Sequence, residues 1–175
     1  MPGKILYSSA KIAGAVHDLA GAITERLDGL APTLLIMLKG GARLGCDLIR
    51  ALPGEVNYDF VGVSSYGKEL SSSGTVDFYL YQPARELIDS RPVVLVDDIC
   101  DSGTTFRAVT ERLKRDYEPG VLLSCSLIWR EGAGFTPDFH GFHYNGGEFL
   151  VGYGLGAGEH YRELEDIIIL EQCGE

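Results

Sequence analysis

Apolar residues recur along the chain with two different periods, and these periods alternate from the N-terminus onward. Between residues 12 and 27 an apolar side chain returns at every third or fourth position, which predicts an amphipathic helix. Ser8 or Ser9 stands just before this segment and is a suitable N-cap. Residues 33–38 are rich in β-forming side chains, so they predict a strand that ends at the turn Lys39-Gly40-Gly41.

The same alternation continues through the rest of the chain. Leu44, Leu48 and Leu52 have helical spacing, and residues 92–96 form a continuous apolar run typical of a strand buried on both faces of a parallel sheet. Further strands are predicted at 56–65, 75–81, 121–129 and 167–170, with a polar loop at 68–74 and a helix containing Phe106, Val109 and Leu113. Strands that alternate with helices predict an α/β fold with a mostly parallel central sheet flanked by helices, and the length fits one domain over residues 1–175.

The composition excludes several classes of function. The formal net charge is −10 and the basic residues do not cluster, so nucleic acid is not an expected partner. No apolar run approaches the ~20 residues of a membrane span, and the N-terminus has no signal-peptide pattern, so we expect no membrane contact. Four cysteines at wide spacings, without a Cys-x-x-Cys pair, are typical of reduced thiols in a cytoplasmic protein.

The segment after the apolar run 92–96 carries the most chemical information. Residues 97–105 are predicted to form a loop, in which two adjacent carboxylates, Asp97 and Asp98, are followed by small hydroxyl residues around Gly103 and then by a predicted helix. A helix N-terminus binds phosphate through its free N–H groups, and glycine lets the backbone approach an anion closely. The paired acids suit a ligand that also offers hydroxyl groups or a metal ion, as a ribose 5-phosphate does. An ordinary helix N-cap would account for Asp101 or Ser102 but not for the whole run.

This run closely resembles the binding signature for phosphoribosyl pyrophosphate (PRPP) of the type I phosphoribosyltransferases. The resemblance implies that Asp97 and Asp98 hold the ribose hydroxyls, and also Mg²⁺ through those hydroxyls or water. It implies that Asp101 accepts the N7 proton of a purine base. The residues that would hold the ribose 5-phosphate are Asp101, Ser102, Gly103, Thr104 and Thr105.

Other segments resemble the hypoxanthine-guanine branch of that family, and together the resemblance covers nearly the whole chain. It implies a type I phosphoribosyltransferase fold with a small hood built partly from the C-terminal segment. It also implies that pyrophosphate is bound by Lys39 and Gly40, by Ser65 and Tyr66 in a flexible catalytic loop, and by Arg162. The expected activity is transfer of the phosphoribosyl group of PRPP to a 6-oxopurine, which makes the chain a purine-salvage enzyme. The resemblance also implies a homo-oligomer, a dimer or a tetramer.

The purine would be bound by Ile99, Arg130, Phe149 and Leu150, with Phe149 stacked on the base. Core packing is the alternative role for Phe149. Arg130 departs from the family pattern, which has a lysine that donates to the 6-oxo group. Arginine is planar and has forked donors, so the preference among hypoxanthine, guanine and xanthine stays open.

A second departure concerns the metal. The family usually has an aspartate where this chain has Gly156, so a catalytically weak PRPP or nucleotide sensor is the alternative to an enzyme. The pair His140-x-x-His143 is not expected to bind a metal ion, because strand alternation predicts that the two side chains point to opposite faces.

Overall fold

The central sheet has five strands, all parallel, in the order β3-β2-β4-β5-β6. The structure is a computed structural model that describes residues 3–62 and 82–171. The five strands are β2 (Thr33–Leu38), β3 (Asn57–Gly62), β4 (Pro92–Cys100), β5 (Val121–Arg130) and β6 (Phe139–Tyr144). The predicted α/β fold with a parallel central sheet is therefore confirmed.

Helices cover both faces of this sheet. They are α1 (Ser9–Leu27), α2 (Ala42–Ala51), α3 (Arg85–Ile88) and α4 (Thr104–Asp116). The Ser8 side chain accepts a hydrogen bond from the Lys11 N–H at 3.4 Å, which identifies Ser8 as the N-cap of α1. One core cluster joins α1 and α2 to alternate residues of the strands, and a second joins α4 to the other set. None of the helices in the described ranges is long and apolar enough to cross a membrane.

The apolar run in β4 is continuous because both of its faces are covered. Val93, Val94, Leu95 and Val96 have no exposed surface. Val94 and Val96 belong to the α1–α2 cluster, whereas Val93 and Leu95 belong to the α4 cluster. This double burial fixes β4 at the centre of the molecule and holds its carboxyl end, where the two acids lie, in a rigid position.

A second, antiparallel sheet forms the hood. Its strands are ordered β1-β8-β7, with β1 (Gly3–Tyr7), β7 (Leu150–Val151) and β8 (Ile167–Leu170). The hood is tied to the helical layer by the Tyr153 hydroxyl, which donates to Asp47 Oδ2 at 2.6 Å. Arg43 adds a second tie, since its Nη1 donates to the carbonyl oxygen of Leu164 at 2.7 Å. The prediction that the C-terminal segment helps to build a hood is confirmed, and the N-terminal strand β1 is an addition to it.

The predicted loop 97–105 is shorter than expected. Strand β4 continues to Cys100 because its parallel pairing with β5 extends through Ile99 and Cys100, and α4 already begins at Thr104. The loop itself is therefore 101–103. Strands β1, β6 and β7 were not predicted, because they are short or lie among glycine and aromatic residues. The predicted loop 68–74 and strand 75–81 lie outside the described residues.

Candidate active site

Among the described residues, the predicted site residues at 39–40, 97–105 and 130 lie at the carboxyl ends of β2, β4 and β5. This edge of an open parallel sheet is where α/β proteins bind ligands, because the connecting loops there surround a crevice. The crevice is lined by the turn after β2, the loop after β4 and the segment 152–162 of the hood. Each of these three segments carries residues for which the sequence predicted a role in binding PRPP.

Asp97 and Asp98 lie side by side at the end of β4. Asp98 is 8% exposed, and its Oδ1 accepts a hydrogen bond from the Ile99 N–H at 2.7 Å. Burial raises the pKa of Asp97 well above its ordinary value, and the neighbouring charge of Asp98 raises it further. Burial also raises the pKa of Asp98, although the positive charge of Arg162 opposes this shift. Two desolvated acids in this position favour a ligand that brings hydroxyl donors or a cation.

The turn after β2 packs directly onto these acids. A Cβ atom at Gly40 would lie 2.1 Å from Asp98 Oδ2, so only glycine fits here. On the other side, a Cβ atom at Gly154 would lie 2.4 Å from the carbonyl oxygen of Gly40. The Leu38–Lys39 peptide bond is cis. Lys39 itself is exposed, and its Nζ forms an ion pair of 2.9 Å with Glu159 Oε2.

The loop 101–103 and the start of α4 form a cradle suited to an anion. Gly103 is the N-cap residue with φ of 79°, a left-handed conformation that glycine adopts without strain. The Ser102 hydroxyl donates to Thr104 Oγ1 at 3.0 Å, and Thr104 and Thr105 begin the helix. The free N–H groups of this helix end and the adjacent hydroxyls are the donors that a phosphate needs.

The connection between β5 and β6 braces this cradle, and no pattern in the sequence predicted this contact. A Cβ atom at Gly103 would lie 2.5 Å from Phe135 Cβ, and the Gly134 N–H donates to the Ser102 carbonyl at 2.9 Å. Trp129 Nε1 donates to the Phe135 carbonyl at 3.1 Å. Because the contacts of Ser102 and Gly103 with this connection join residues about thirty positions apart, no local pattern could have indicated them.

Arg130 at the end of β5 contacts Asp101. Its Nε forms an ion pair with Asp101 Oδ1, its Nη1 donates to the carbonyl of Gly146, and its Nη2 donates to the carbonyl of Glu148 at 3.2 Å. The guanidinium also lies over the ring of Tyr144, 5.3 Å from its centroid. Three of the five N–H donors of arginine are thus used within the protein.

The remaining predicted purine contacts surround Arg130. Phe149 is 52% exposed, which disfavours the alternative that it packs in the core. Leu150 is buried in β7 and pairs with Ile169 of β8, while Ile99 is half-buried in β4. The structure therefore leaves the Phe149 ring accessible, one residue after Glu148, whose carbonyl oxygen accepts a hydrogen bond from Arg130.

Arg162 is held over Gly156. Its Nη1 donates to the carbonyl of Gly154 at 2.7 Å and its Nη2 to that of Gly158 at 3.1 Å. A Cβ atom at Gly156 would lie 2.8 Å from Arg162 Cζ, so a side chain at 156 would require the guanidinium to move. The glycine that departs from the family pattern therefore creates the space that Arg162 occupies.

Two predictions about other residues have different outcomes. Ser65 and Tyr66 lie outside the described residues, so their role stays a prediction. The expectation that His140 and His143 point to opposite faces is wrong, because their ring centroids lie 5.1 Å and 4.7 Å from that of Trp129. Within residues 3–62 and 82–171, no group of three or more His, Cys, Asp or Glu side chains is placed to hold a metal ion.

Comparisons with known proteins agree with this geometry. Residues 3–144 match the family model of the phosphoribosyl transferase domain. A hypoxanthine-guanine phosphoribosyltransferase of Aquifex aeolicus is 35% identical over 172 residues, which cover 96% of this chain and 94% of that protein.

Solved structures show the same similarity. A hypoxanthine-guanine phosphoribosyltransferase from Bacillus anthracis superposes with a TM-score of 0.87 at 28% identity, covering 98% of this chain and 99% of that one. Hypoxanthine phosphoribosyltransferase from Trypanosoma cruzi, in complex with the product IMP, superposes with a TM-score of 0.84 at 29% identity. That match covers 96% of this chain and 94% of the Trypanosoma cruzi chain.

Proposed function

The chain belongs to the phosphoribosyltransferase family, in its hypoxanthine-guanine branch, and from this we propose that it transfers the 5-phosphoribosyl group of PRPP to a 6-oxopurine. The products are a purine nucleoside monophosphate and pyrophosphate, so the reaction is one of purine salvage. The observation that carries the proposal is the position of two adjacent acids, the half-buried Asp97 and the buried Asp98, beside a glycine-hinged helix start. This arrangement suits the hydroxyl groups and the phosphate at the two ends of one ribose.

Separate groups of residues bind the ribose hydroxyls, the 5-phosphate and the pyrophosphate of PRPP. Asp97 and Asp98 accept hydrogen bonds from the ribose hydroxyls, which removes the cost of burying them without donors. The N–H groups of loop 101–103 and the hydroxyls of Ser102, Thr104 and Thr105 bind the 5-phosphate. Lys39, the backbone of Gly40 and Arg162 bind pyrophosphate, together with Ser65 and Tyr66.

The chemical step exchanges one bond at ribose C1 for another. N9 of the purine forms a bond to C1 while the bond from C1 to the pyrophosphate oxygen breaks, and the electron pair leaves with pyrophosphate. Asp101 accepts the proton from N7 of the base, which keeps the purine neutral as N9 becomes bonded. Phe149 stacks on the base and keeps water away from the reacting carbon.

Magnesium fits the oxygen donors of this site only as a substrate-bound ion. Asp97 and Asp98 are the acids that would hold it, through water or the ribose hydroxyls, since Mg²⁺ usually retains several waters and binds substrate phosphates. When bound, the ion neutralises charge on the leaving pyrophosphate. The basic groups that act beside it in this chain are Lys39 and Arg162.

A PRPP sensor is the second candidate function, and the position of Arg162 over Gly156 favours it. A guanidinium already held by two carbonyl oxygens is less free to bind pyrophosphate than an unpaired one. Xanthine preference is a variant of the proposed enzyme activity, and it is raised by the presence of Arg130 where the family pattern has a lysine.

An assay with magnesium and PRPP against five bases separates these readings. We expect pyrophosphate release with hypoxanthine or guanine and none with adenine or uracil. Release with xanthine alone would support the xanthine variant. Tight PRPP binding without release with any base would support the sensor and would contradict the proposed activity.

We further propose that the chain acts as a single cytoplasmic domain that forms a dimer or a tetramer. The free thiols of Cys46, Cys100 and Cys125 agree with a reducing compartment. The proposal of an oligomer comes from the family resemblance, and light scattering after size-exclusion chromatography tests it. A mass of 19.0 kDa would indicate a monomer and contradict it.

A further inference from the structure

We propose that Arg130 assembles the purine pocket by tying Asp101 to the segment that carries Phe149. The inference rests on the proposed function and assigns Arg130 a positioning role in place of a direct contact with the 6-oxo group. Its basis is that one guanidinium contacts two separate parts of the chain at once, the loop after β4 and the connection between β6 and β7.

The first step concerns Asp101. Its side chain is 64% exposed and projects from a three-residue loop, so packing does little to hold the carboxylate in one place. The side chain of Arg130 is only 18% exposed and extends from the rigid sheet. The ion pair with Arg130 therefore holds the Asp101 carboxylate, which would accept the purine proton, in one position relative to β5.

The second step concerns the segment 146–148, which directly precedes Phe149. Arg130 donates to the carbonyl oxygens of Gly146 and Glu148. Tyr144, whose ring lies under the guanidinium, donates from its hydroxyl to Glu148 Oε2 at 2.6 Å. These contacts hold the backbone of residues 146–148 in place and so determine where the backbone of Phe149 lies.

The third step concerns the shape of the guanidinium. Nε, Nη1 and Nη2 each serve a different acceptor, and these nitrogens point in fixed, divergent directions in one plane. A lysine ammonium has one nitrogen, so it can contact these acceptors together only if they all surround a single point. Lysine at position 130 therefore cannot reproduce the three contacts, although it can still donate to a 6-oxo group.

The consequence for catalysis follows from where the base must lie. A purine has to present N7 to Asp101 and one ring face to Phe149, and these residues belong to different segments of the chain. A displacement of about 1 Å between reacting groups can reduce a rate about 100-fold. Arg130 fixes the separation of the two contacts, so its removal affects the purine and leaves the PRPP cradle intact.

Steady-state kinetics of R130K and R130A test the proposal. We expect both variants to lose about 30- to 100-fold in kcat/KM for the 6-oxopurine, in line with a displacement of about 1 Å. The affinity for ribose 5-phosphate, measured by calorimetry, should change less than about threefold, since its contacts lie at the helix start. A purine nucleoside monophosphate should bind more weakly to both variants by a factor similar to the loss of kcat/KM.

Three results would overturn the inference. Wild-type kcat/KM in R130K would mean that one donor is enough, as for a direct contact with the 6-oxo group. Equal losses for ribose 5-phosphate and for the purine nucleotide would mean that Arg130 merely maintains the fold. Nucleotide binding that is unchanged in R130A would also contradict it. Failure of the proposed function has a different signature, because the wild-type protein itself would release no pyrophosphate.

Y144F provides an independent variant that leaves Arg130 in place. It removes the hydroxyl contact with Glu148 but keeps the ring beneath the guanidinium. We expect a smaller loss of kcat/KM for the purine than in R130A, again with unchanged affinity for ribose 5-phosphate. A larger loss in Y144F than in R130A would show that Tyr144, and not Arg130, holds the segment.

Discussion

At the scale of single residues, the adjacent acids Asp97 and Asp98 at the end of β4 serve ligand binding but lower the stability of the folded protein. Asp97 has a raised pKa because it is desolvated and lies next to Asp98. The folded protein therefore holds a proton at pH values where the unfolded chain has released it. It follows that the free energy of unfolding falls as pH rises through the window between the ordinary pKa and the raised one.

Replacement of Asp97 by asparagine should remove this penalty. We expect D97N to have a higher melting temperature than wild type at pH 7, and a smaller advantage at pH 4, where Asp97 is protonated in the folded protein and partly protonated in the unfolded chain. PRPP binding should be lost, because asparagine is a weaker acceptor for ribose hydroxyls. Differential scanning calorimetry at both pH values measures the first effect. The exposed D18N serves as the control, and equal melting temperatures of D97N and wild type at pH 7 would contradict the argument.

Asp101 has a different role, and its substitution should separate chemistry from binding. Loss of a general base typically reduces the rate by 10²–10⁴-fold, so we expect D101N to lose about that much turnover. PRPP affinity should change little, because backbone N–H groups of the same loop remain. Turnover and PRPP binding measured on the same preparation check this. A comparable loss in both quantities would mean that Asp101 is structural.

At the scale of elements, the helix start and the β5–β6 connection form one unit. Gly103 adopts a left-handed conformation, and Phe135 occupies the space next to its Cα atom. The phosphate cradle thus depends on a residue that is distant in sequence. It also depends on Trp129, because its indole N–H holds the Phe135 carbonyl.

G103A tests this dependence against a matched control. Gly54 has the same φ of 79°, but nothing lies within 4 Å of its Cβ position. We expect G54A to lose about 1–2 kcal/mol from left-handed strain alone, and G103A to lose more because Phe135 must move. Urea denaturation gives both values, and only G103A should bind ribose 5-phosphate more weakly. Equal losses in the free energy of unfolding of the two variants would show that Phe135 can move away from the new side chain without further loss of stability.

Elements with a strong local pattern were predictable, and those defined by pairing were not. In α1 the residues from Ile12 to Leu27 that repeat at helical spacing are the buried ones, and in β4 the continuous apolar run is buried. In both elements the sequence pattern alone therefore indicates which residues are buried. The extension of β4 to Cys100 depends on hydrogen bonds to β5, and β1 depends on pairing with β8 across the whole chain. Asp97 to Thr105 could be assigned as a site from local chemistry, whereas the contacts of Arg130 and Phe135 arise only when distant segments meet.

At the scale of the whole molecule, the hood shares an apolar core with the parallel sheet and its helices, and polar contacts at Tyr153 and Arg43 set its position. Tyr153 is 4% exposed and donates to Asp47 at the end of its ring, while Arg43 lies over the ring at 4.9 Å from its centroid. These contacts position the hood segment 152–162 relative to Gly40 and Asp98. The pyrophosphate side of the site therefore depends on this joint.

Y153F should weaken the joint without leaving a cavity. The lost hydrogen bond leaves a carboxylate of Asp47 without its donor, so we expect a loss of about 1–3 kcal/mol in the free energy of unfolding. Pyrophosphate affinity should fall as well, because segment 152–162 becomes less well positioned. Chemical denaturation and product-inhibition kinetics measure the two effects. Y58F on the exposed face of β3 is the control, and unchanged pyrophosphate affinity in Y153F would contradict the coupling.

The close approach of Gly40 to Asp98 and of Gly154 to Gly40 has a consequence for how this chain can diversify. A side chain at Gly40 would displace the Asp98 carboxylate and one at Gly154 would meet the Gly40 carbonyl, so these two positions on the leaving-group side of the site tolerate little variation. The half around Ile99, Arg130 and Phe149 has side chains of variable size and one accessible ring. Mutant libraries aimed at accepting new bases should therefore randomise Ile99 and Phe149, keep Arg130, and leave 38–41 and 152–156 unchanged.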